Sequence, residues 1–245
     1  MTQFWLWIGL ISMTVGAGFF GLCAYRSSSE RWRILLALNF FITVIASVLY
    51  LAMAMGQGYA TFYGHSTYWV RYVTWGLSTP LLIMVIGHLG KSKLSTVGAL
   101  IGADVLMIGT GLVATISPPP ISYVWYLVSC GFFAGILYLL LVPYRHEAES
   151  KYPGKIGKKS FGKLVTVHIA LWTAYPIVWV LADSGIGLLS DGVEAMLYTL
   201  LDIAAKVGFG LLSVNTLQNL EDAPSSLAMR NGTTEQVVVP VRVDR

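Results

Sequence analysis

The sequence predicts an all-α membrane protein of seven transmembrane helices, and three observations carry that prediction. Of the 245 residues, 56% are hydrophobic and 11% charged, against about 25% charged in a soluble domain. The apolar residues fall into seven runs, at 4–24, 34–55, 69–89, 96–116, 121–144, 162–182 and 193–217. Each is close to the ~20 residues a helix needs to cross a bilayer core. Basic residues gather in alternate connections and in the tail: Arg26, Arg31, Arg33, Lys91, Lys93, Arg145, Lys151, Lys155, Lys158, Lys159, Lys163, Arg230, Arg242 and Arg245 are fourteen of the sixteen Lys and Arg. The opposite connections hold none, and the last of them carries Asp183, Asp191 and Glu194. An excess of Lys and Arg on the cytoplasmic side predicts an extracellular N-terminus and a cytoplasmic C-terminus. The formal net charge of +4 is then a consequence of topology, and no nucleic-acid partner is expected.

Residues 1–220 form one transmembrane domain in this reading, and 221–245 a polar cytoplasmic tail. The first run lacks a basic leader and a cleavage site before a soluble domain, so it reads as helix one. Cys23 and Cys130 both lie inside spans and read as buried thiols. Spans one and two read as packing, with Tyr50 as their polar handle. Residues 56–64 are long enough for a small hairpin cap, whose tyrosines suit the membrane interface. Residues 145–159 read as a basic, glycine-bearing loop.

Span three carries most of the information. Arg71, Thr74 and Ser78 fall within an arc of about 60° on a helix, so one face presents a guanidinium and two hydroxyls. Val85 continues that face with an apolar side chain. Hydroxyls in membrane helices often only bond back to their own carbonyls; an intramembrane arginine below them argues for more. On span four Asp104 has no basic neighbour in sequence, and the expectation is a neutral carboxyl hydrogen-bonded to Thr79. Span six places Trp172, Tyr175 and Trp179 on one face beside Pro176, whose missing N–H permits a kink. Span seven has Lys206 in an apolar run one turn after Asp202. A cation at mid-membrane costs roughly 2.5–3.5 kcal/mol on insertion scales, which marks it as functional.

These motifs, in this order, resemble the microbial rhodopsins over essentially the whole chain. The residues that carry the likeness are Arg71-Tyr72, Trp75 and Ser78-Thr79-Pro80, then Gly102-Ala103-Asp104, Trp172, Tyr175-Pro176 and Trp179, and finally Leu201-Asp202, Lys206 and Gly208. The resemblance implies a multi-pass protein of the cell membrane and a light-driven transporter rather than an enzyme. It implies all-trans retinal on Lys206 as a protonated Schiff base with Asp202 as counterion. Trp75, Thr79, Met107, Gly111, Trp172, Tyr175 and Trp179 would line the chromophore. Tyr126 and Ser129 would form the span-five wall, although the family often has tryptophan at the Tyr126 position.

Outward proton pumps of the family place an aspartate where this chain has Thr74. Counting the Schiff base and Arg71 against Asp202 then leaves a buried charge of +1, which is costly unless an anion fills the gap. The triad Thr74, Ser78 and Val85 resembles that of the halorhodopsins. Cyanobacterial chloride pumps of similar sequence can carry aspartate at the Val85 position. The expectation is an inward chloride pump, with chloride or other small anions held by Thr74, Ser78 and Arg71, and with Pro176 and Val85 on the exit path. A sensory photoreceptor without transport and a light-gated anion channel are the alternatives. Glu194 matches a proton-release position of proton pumps, but Ser184 stands where its companion carboxylate would be, so Glu194 is expected to be structural or a modest gate. Membrane lipids and a homotrimer are the further partners that the resemblance implies.

Overall fold

The computed structural model describes residues 1–152 and 154–230. Seven helices long and apolar enough to cross a membrane follow one another: α1 Thr2–Arg26, α2 Glu30–Ala54, α3 Val70–Gly90, α4 Leu94–Thr115, α5 Ile121–Lys151, α6 Lys155–Leu181 and α7 Asp191–Asp222. Each extends past its apolar run at one end or both, because backbone hydrogen bonding continues where the side chains turn polar.

The connection at 145–159 departs from the expected loop. Helix continues through Arg145–Lys151, stabilised locally by an ion pair from Arg145 Nε to Glu149 Oε1 at 2.8 Å, four residues apart as a helix face requires. Pro143 lies within a π-helical turn, Leu140–Tyr144, and the widened register carries α5 past a residue that has no N–H. At the other end α7 stays helical to Arg230, so the polar tail begins as helix; residues 231–245 lie outside the described residues.

Between α2 and α3 the chain forms the expected hairpin, β1 Tyr59–Phe62 against β2 His65–Tyr68, antiparallel with Tyr59 opposite Tyr68. The two residues at its tip, Tyr63 and Gly64, both have positive φ, 52° and 89°, as a tight turn matched to strand twist demands. This hairpin marks one end of the bundle, and the α5–α6 connection with the end of α7 marks the other, the tail end.

Of the seven, α3 is the most enclosed, while α4 and α5 turn most of their surface outward. Three apolar clusters divide the interior. One fills the tail-end half and contains Leu82, Val85, Ile86, Leu89, Trp172 and Phe209. A second joins α1 and α2 around Tyr50, and a third gathers Tyr72, Trp75, Trp179 and Tyr198 toward the hairpin. Gly9 lets α1 approach α2 closely: a Cβ there would sit 2.3 Å from the Tyr50 ring. That approach sets where the Tyr50 hydroxyl can reach.

Candidate functional site

Lys206 is 1% exposed and lies in a π-helical turn of α7, Ile203–Gly208. Its Nζ donates to Asp202 Oδ1. The same carboxylate accepts from the Tyr175 hydroxyl on α6 at 2.8 Å and from the Tyr50 hydroxyl on α2 at 2.9 Å. Three helices therefore supply donors to one buried carboxylate. Tyr50, whose partner is not apparent from sequence, is part of this shell.

Arg71 does not share Asp202. Its Nη1 donates to Glu194 Oε1 at 2.9 Å, with the two residues 5% and 7% exposed. Its guanidinium lies 4.7 Å from the Tyr198 ring centroid and 5.3 Å from that of Tyr68. The reason is positional: Arg71 is in the first turn of α3, and Glu194 is in the first turn of α7, two turns before Asp202. Two buried pairs, Lys206–Asp202 and Arg71–Glu194, thus replace the expected single carboxylate serving two cations. The uncompensated +1 disappears once Glu194 is counted. Breaking a buried pair from one side leaves a charge without a partner, at about 3–5 kcal/mol. Glu194→Ala is accordingly expected to destabilise the protein by that order and Glu194→Gln by less, a ranking that thermal denaturation in detergent would test.

The polar face of α3 is less satisfied. Thr74, 2% exposed, bonds back to the Val70 carbonyl at a long 3.3 Å. Ser78 Oγ, Arg71 Nε and Trp75 Nε1 are buried and have no hydrogen-bond partner among the described residues. An unsatisfied buried donor costs about 1–3 kcal/mol, so three of them within two turns call for a polar or anionic guest.

Beside this face lies a cavity walled mainly by apolar and aromatic side chains, as small-molecule sites are. Lys206, Trp75 and Thr79 line it, together with Met107, Gly111, Tyr126, Ser129, Trp172, Tyr175 and Trp179, so the structure brings the expected wall residues together around the lysine. Cys130, Phe133 and Tyr198 also line it without having been expected there, as does Tyr72 of the span-three motif. Tyr198 could have been expected, since it precedes Asp202 by four and Lys206 by eight residues. Tyr126 stacks on Trp179 at 4.7 Å with 12° between the planes. Ser129 Oγ donates to the Met107 carbonyl at 2.8 Å, tying α5 to α4.

The Thr79 hydroxyl lies 2.7 Å from both the Trp75 carbonyl and Asp104 Oδ2. The hydroxyl thus ties the Asp104 carboxyl on α4 to the backbone of α3. Val85 is fully buried in the apolar cluster of the tail-end half. His168 is buried against Trp172, with ring centroids 4.2 Å apart, and its Nε2 has no partner among the described residues. Pro176 lies inside α6, and its carbonyl accepts from Tyr126 at 3.2 Å.

A seven-helix bundle closed on a buried lysine and a ring-lined cavity defines a class of membrane protein, and comparison with known proteins identifies the family. The family model described as bacteriorhodopsin-like protein matches residues 1–220. Bacteriorhodopsin of Haloterrigena sp. (strain arg-4) is 35% identical over 223 residues, covering 89% of this chain and 88% of that protein. Archaerhodopsin-2 of Halobacterium sp. (strain aus-2) is 35% identical over 232 residues, covering 91% and 89%. Among solved structures, cyanorhodopsin from the cyanobacterium Calothrix sp. NIES-2098 superposes with a TM-score of 0.84 at 38% identity, covering 91% of this chain and 98% of that one. Thermophilic rhodopsin from Rubrobacter xylanophilus gives 0.84 at 34%, covering 92% and 100%. The chain belongs to the bacteriorhodopsin-like family of microbial rhodopsins and is a multi-pass membrane protein.

That family binds retinal, and the residues here fit it. The cavity is mostly apolar, is walled by flat aromatic rings, and has Lys206 as the one lysine lining it among the described residues. A carboxylate saturated with donors stands against that amine, as a retained positive charge requires.

Proposed function

We propose that the chain is a light-driven inward pump for chloride and other small anions. The carrying observation is Thr74 at the position where the family's proton pumps hold an aspartate, with the buried Ser78 hydroxyl one turn on and without a partner. The family's proton pumps accept the proton on a carboxylate of this helix, in addition to the counterion on α7, and the face of α3 from Arg71 to Val85 carries none. Val85, enclosed by leucines and isoleucines, offers no internal proton donor toward the tail end.

In the proposed orientation the hairpin end is extracellular. An anion entering there meets Arg71 Nε and Ser78 Oγ as free donors, and Thr74 can exchange its long bond to Val70 for a stronger one. Arg71 is held in reach by Glu194, so the anion is drawn by oriented donors and a shared guanidinium rather than by unbalanced charge. Bound through Lys206, retinal would supply a light-driven change of shape that reorients the attached, positively charged nitrogen. Asp202, fixed by Tyr50 and Tyr175, keeps its negative charge on the extracellular side and disfavours return. Pro176 leaves α6 one backbone hydrogen bond short, and tilting of its tail-end half opens the dry cluster around Val85. Directional transport needs different anion affinity in the two states, and the orientation of the donors provides that difference.

Chloride titrated into the retinal-loaded protein in a chloride-free sulfate buffer is expected to shift the absorption maximum with saturation. In cells, illumination is expected to raise external pH, and a protonophore to enhance that rise. No spectral shift up to molar chloride, or acidification abolished by the protonophore, would overturn the assignment. A current that reverses with the chloride gradient would identify a channel, and the absence of both pH change and current a sensor.

A further inference from the structure

The last residue of α4, Thr115, does not line the cavity but controls two side chains that do. Its hydroxyl donates to the Gly111 carbonyl at 3.2 Å, the back-bond expected of a threonine in a membrane helix. Such a bond leaves both oxygen lone pairs free. Here both are used, and by other helices. The indole Nε1–H of Trp179 on α6 donates at 2.9 Å, and the hydroxyl of Tyr72 on α3 lies at 2.5 Å. One oxygen thus makes three bonds to three helices at a site where Thr115 is 6% exposed.

Both partners face the cavity, and both pass the constraint on. Trp179 stacks on Tyr126, whose hydroxyl bonds to the Pro176 carbonyl. Tyr72 packs edge-on against Trp75 at 5.1 Å and 74°. Trp179 is three residues past Pro176 and near the hairpin end of α6. A tether at Trp179 therefore immobilises the segment of α6 beyond the proline and leaves the segment before it free to tilt.

We propose that Thr115 is a positioning residue for the chromophore cavity. It fixes the Trp179 indole and the Tyr72 phenol against retinal, and it pins the hairpin-end part of α6 to α3 and α4 so that Pro176 acts as a one-sided pivot. The inference rests on retinal occupying the cavity, which the family supports, and is independent of which ion is moved.

The test compares wild type, Thr115→Val and Thr115→Ser, with Trp179→Phe used to isolate the signal of that indole. Ultraviolet resonance Raman spectra of the full protein, with and without retinal, report hydrogen bonding at the indole N–H. The wild-type signal is expected to be that of a bonded indole. Thr115→Val should lose it and shift the visible absorption maximum, and Thr115→Ser should restore both. A structural role alone would lower the melting temperature of Thr115→Val without moving the indole signal. An unchanged indole signal and maximum in Thr115→Val would overturn the proposal. A free-indole signature for Trp179 in the wild type would do so as well, whether or not Thr115→Val accumulates.

Discussion

Replacing Thr74 by aspartate is expected to abolish the chloride-dependent spectral shift and to reverse the sign of the light-driven pH change. The new carboxylate would stand on the face of α3 where Arg71 Nε and Ser78 Oγ are unpartnered, and it would take up those donors itself. It would also repel an anion: two like charges about 4 Å apart at an effective dielectric constant near 20 interact by about 4 kcal/mol. At 1.4 kcal/mol per decade, chloride affinity falls roughly a thousandfold. The same carboxylate gives the site a proton acceptor. Chloride titration of the variant, followed by the pH assay with protonophore, checks both halves. A variant that still responds to millimolar chloride like the wild type would mean that the anion binds elsewhere.

The second large effect is expected at Lys206. Alanine there should eliminate the visible absorption band and all light-driven ion movement, since no other lysine among the described residues lines the cavity. The fold should survive. Asp202 would keep its bonds from Tyr50 and Tyr175, and the costly buried cation would be gone. Reconstitution with retinal, read by absorption and by circular dichroism, separates loss of pigment from loss of structure. A visible band in the Lys206→Ala protein would show that retinal is held some other way.

Much of this arrangement was legible in the sequence because it is written in local spacing. Seven apolar runs give seven helices, and Trp172, Tyr175 and Trp179 share a face by helical geometry, so they meet the cavity together. What escaped is what joins distant parts of the chain. Arg71 and Glu194 are 123 residues apart, and nothing local to either predicts that they pair rather than Arg71 and Asp202. That one pairing changes the charge count on which the sequence argument for an anion leaned, and moves the weight of that argument to Thr74 and to unpartnered donors. Thr115 and the partner of Tyr50 escaped for the same reason: what a single hydroxyl in an apolar run binds is hidden until its neighbours on other helices are known. The helix through Arg145–Lys151 was hidden differently, because its charges resemble a loop and the π-helical turn before it accommodates Pro143.

The π-helical turn at Ile203–Gly208 also sets how α7 may vary. An α-helix repeats every 3.6 residues, whereas a turn closed by bonds five residues apart holds an extra one. The two halves of α7 are therefore out of step with each other, with Lys206 at the join. With the wide turn kept, removing one residue from 203–205 would rotate every side chain on one half by roughly 100° relative to the other. Either Asp202 would lose the lysine, or Phe209 and Ser213 would leave the interior. Point substitutions in this segment act on one contact, but a change in its length acts on half a helix, so the number of residues between Asp202 and Phe209 is as strong a requirement as their identities.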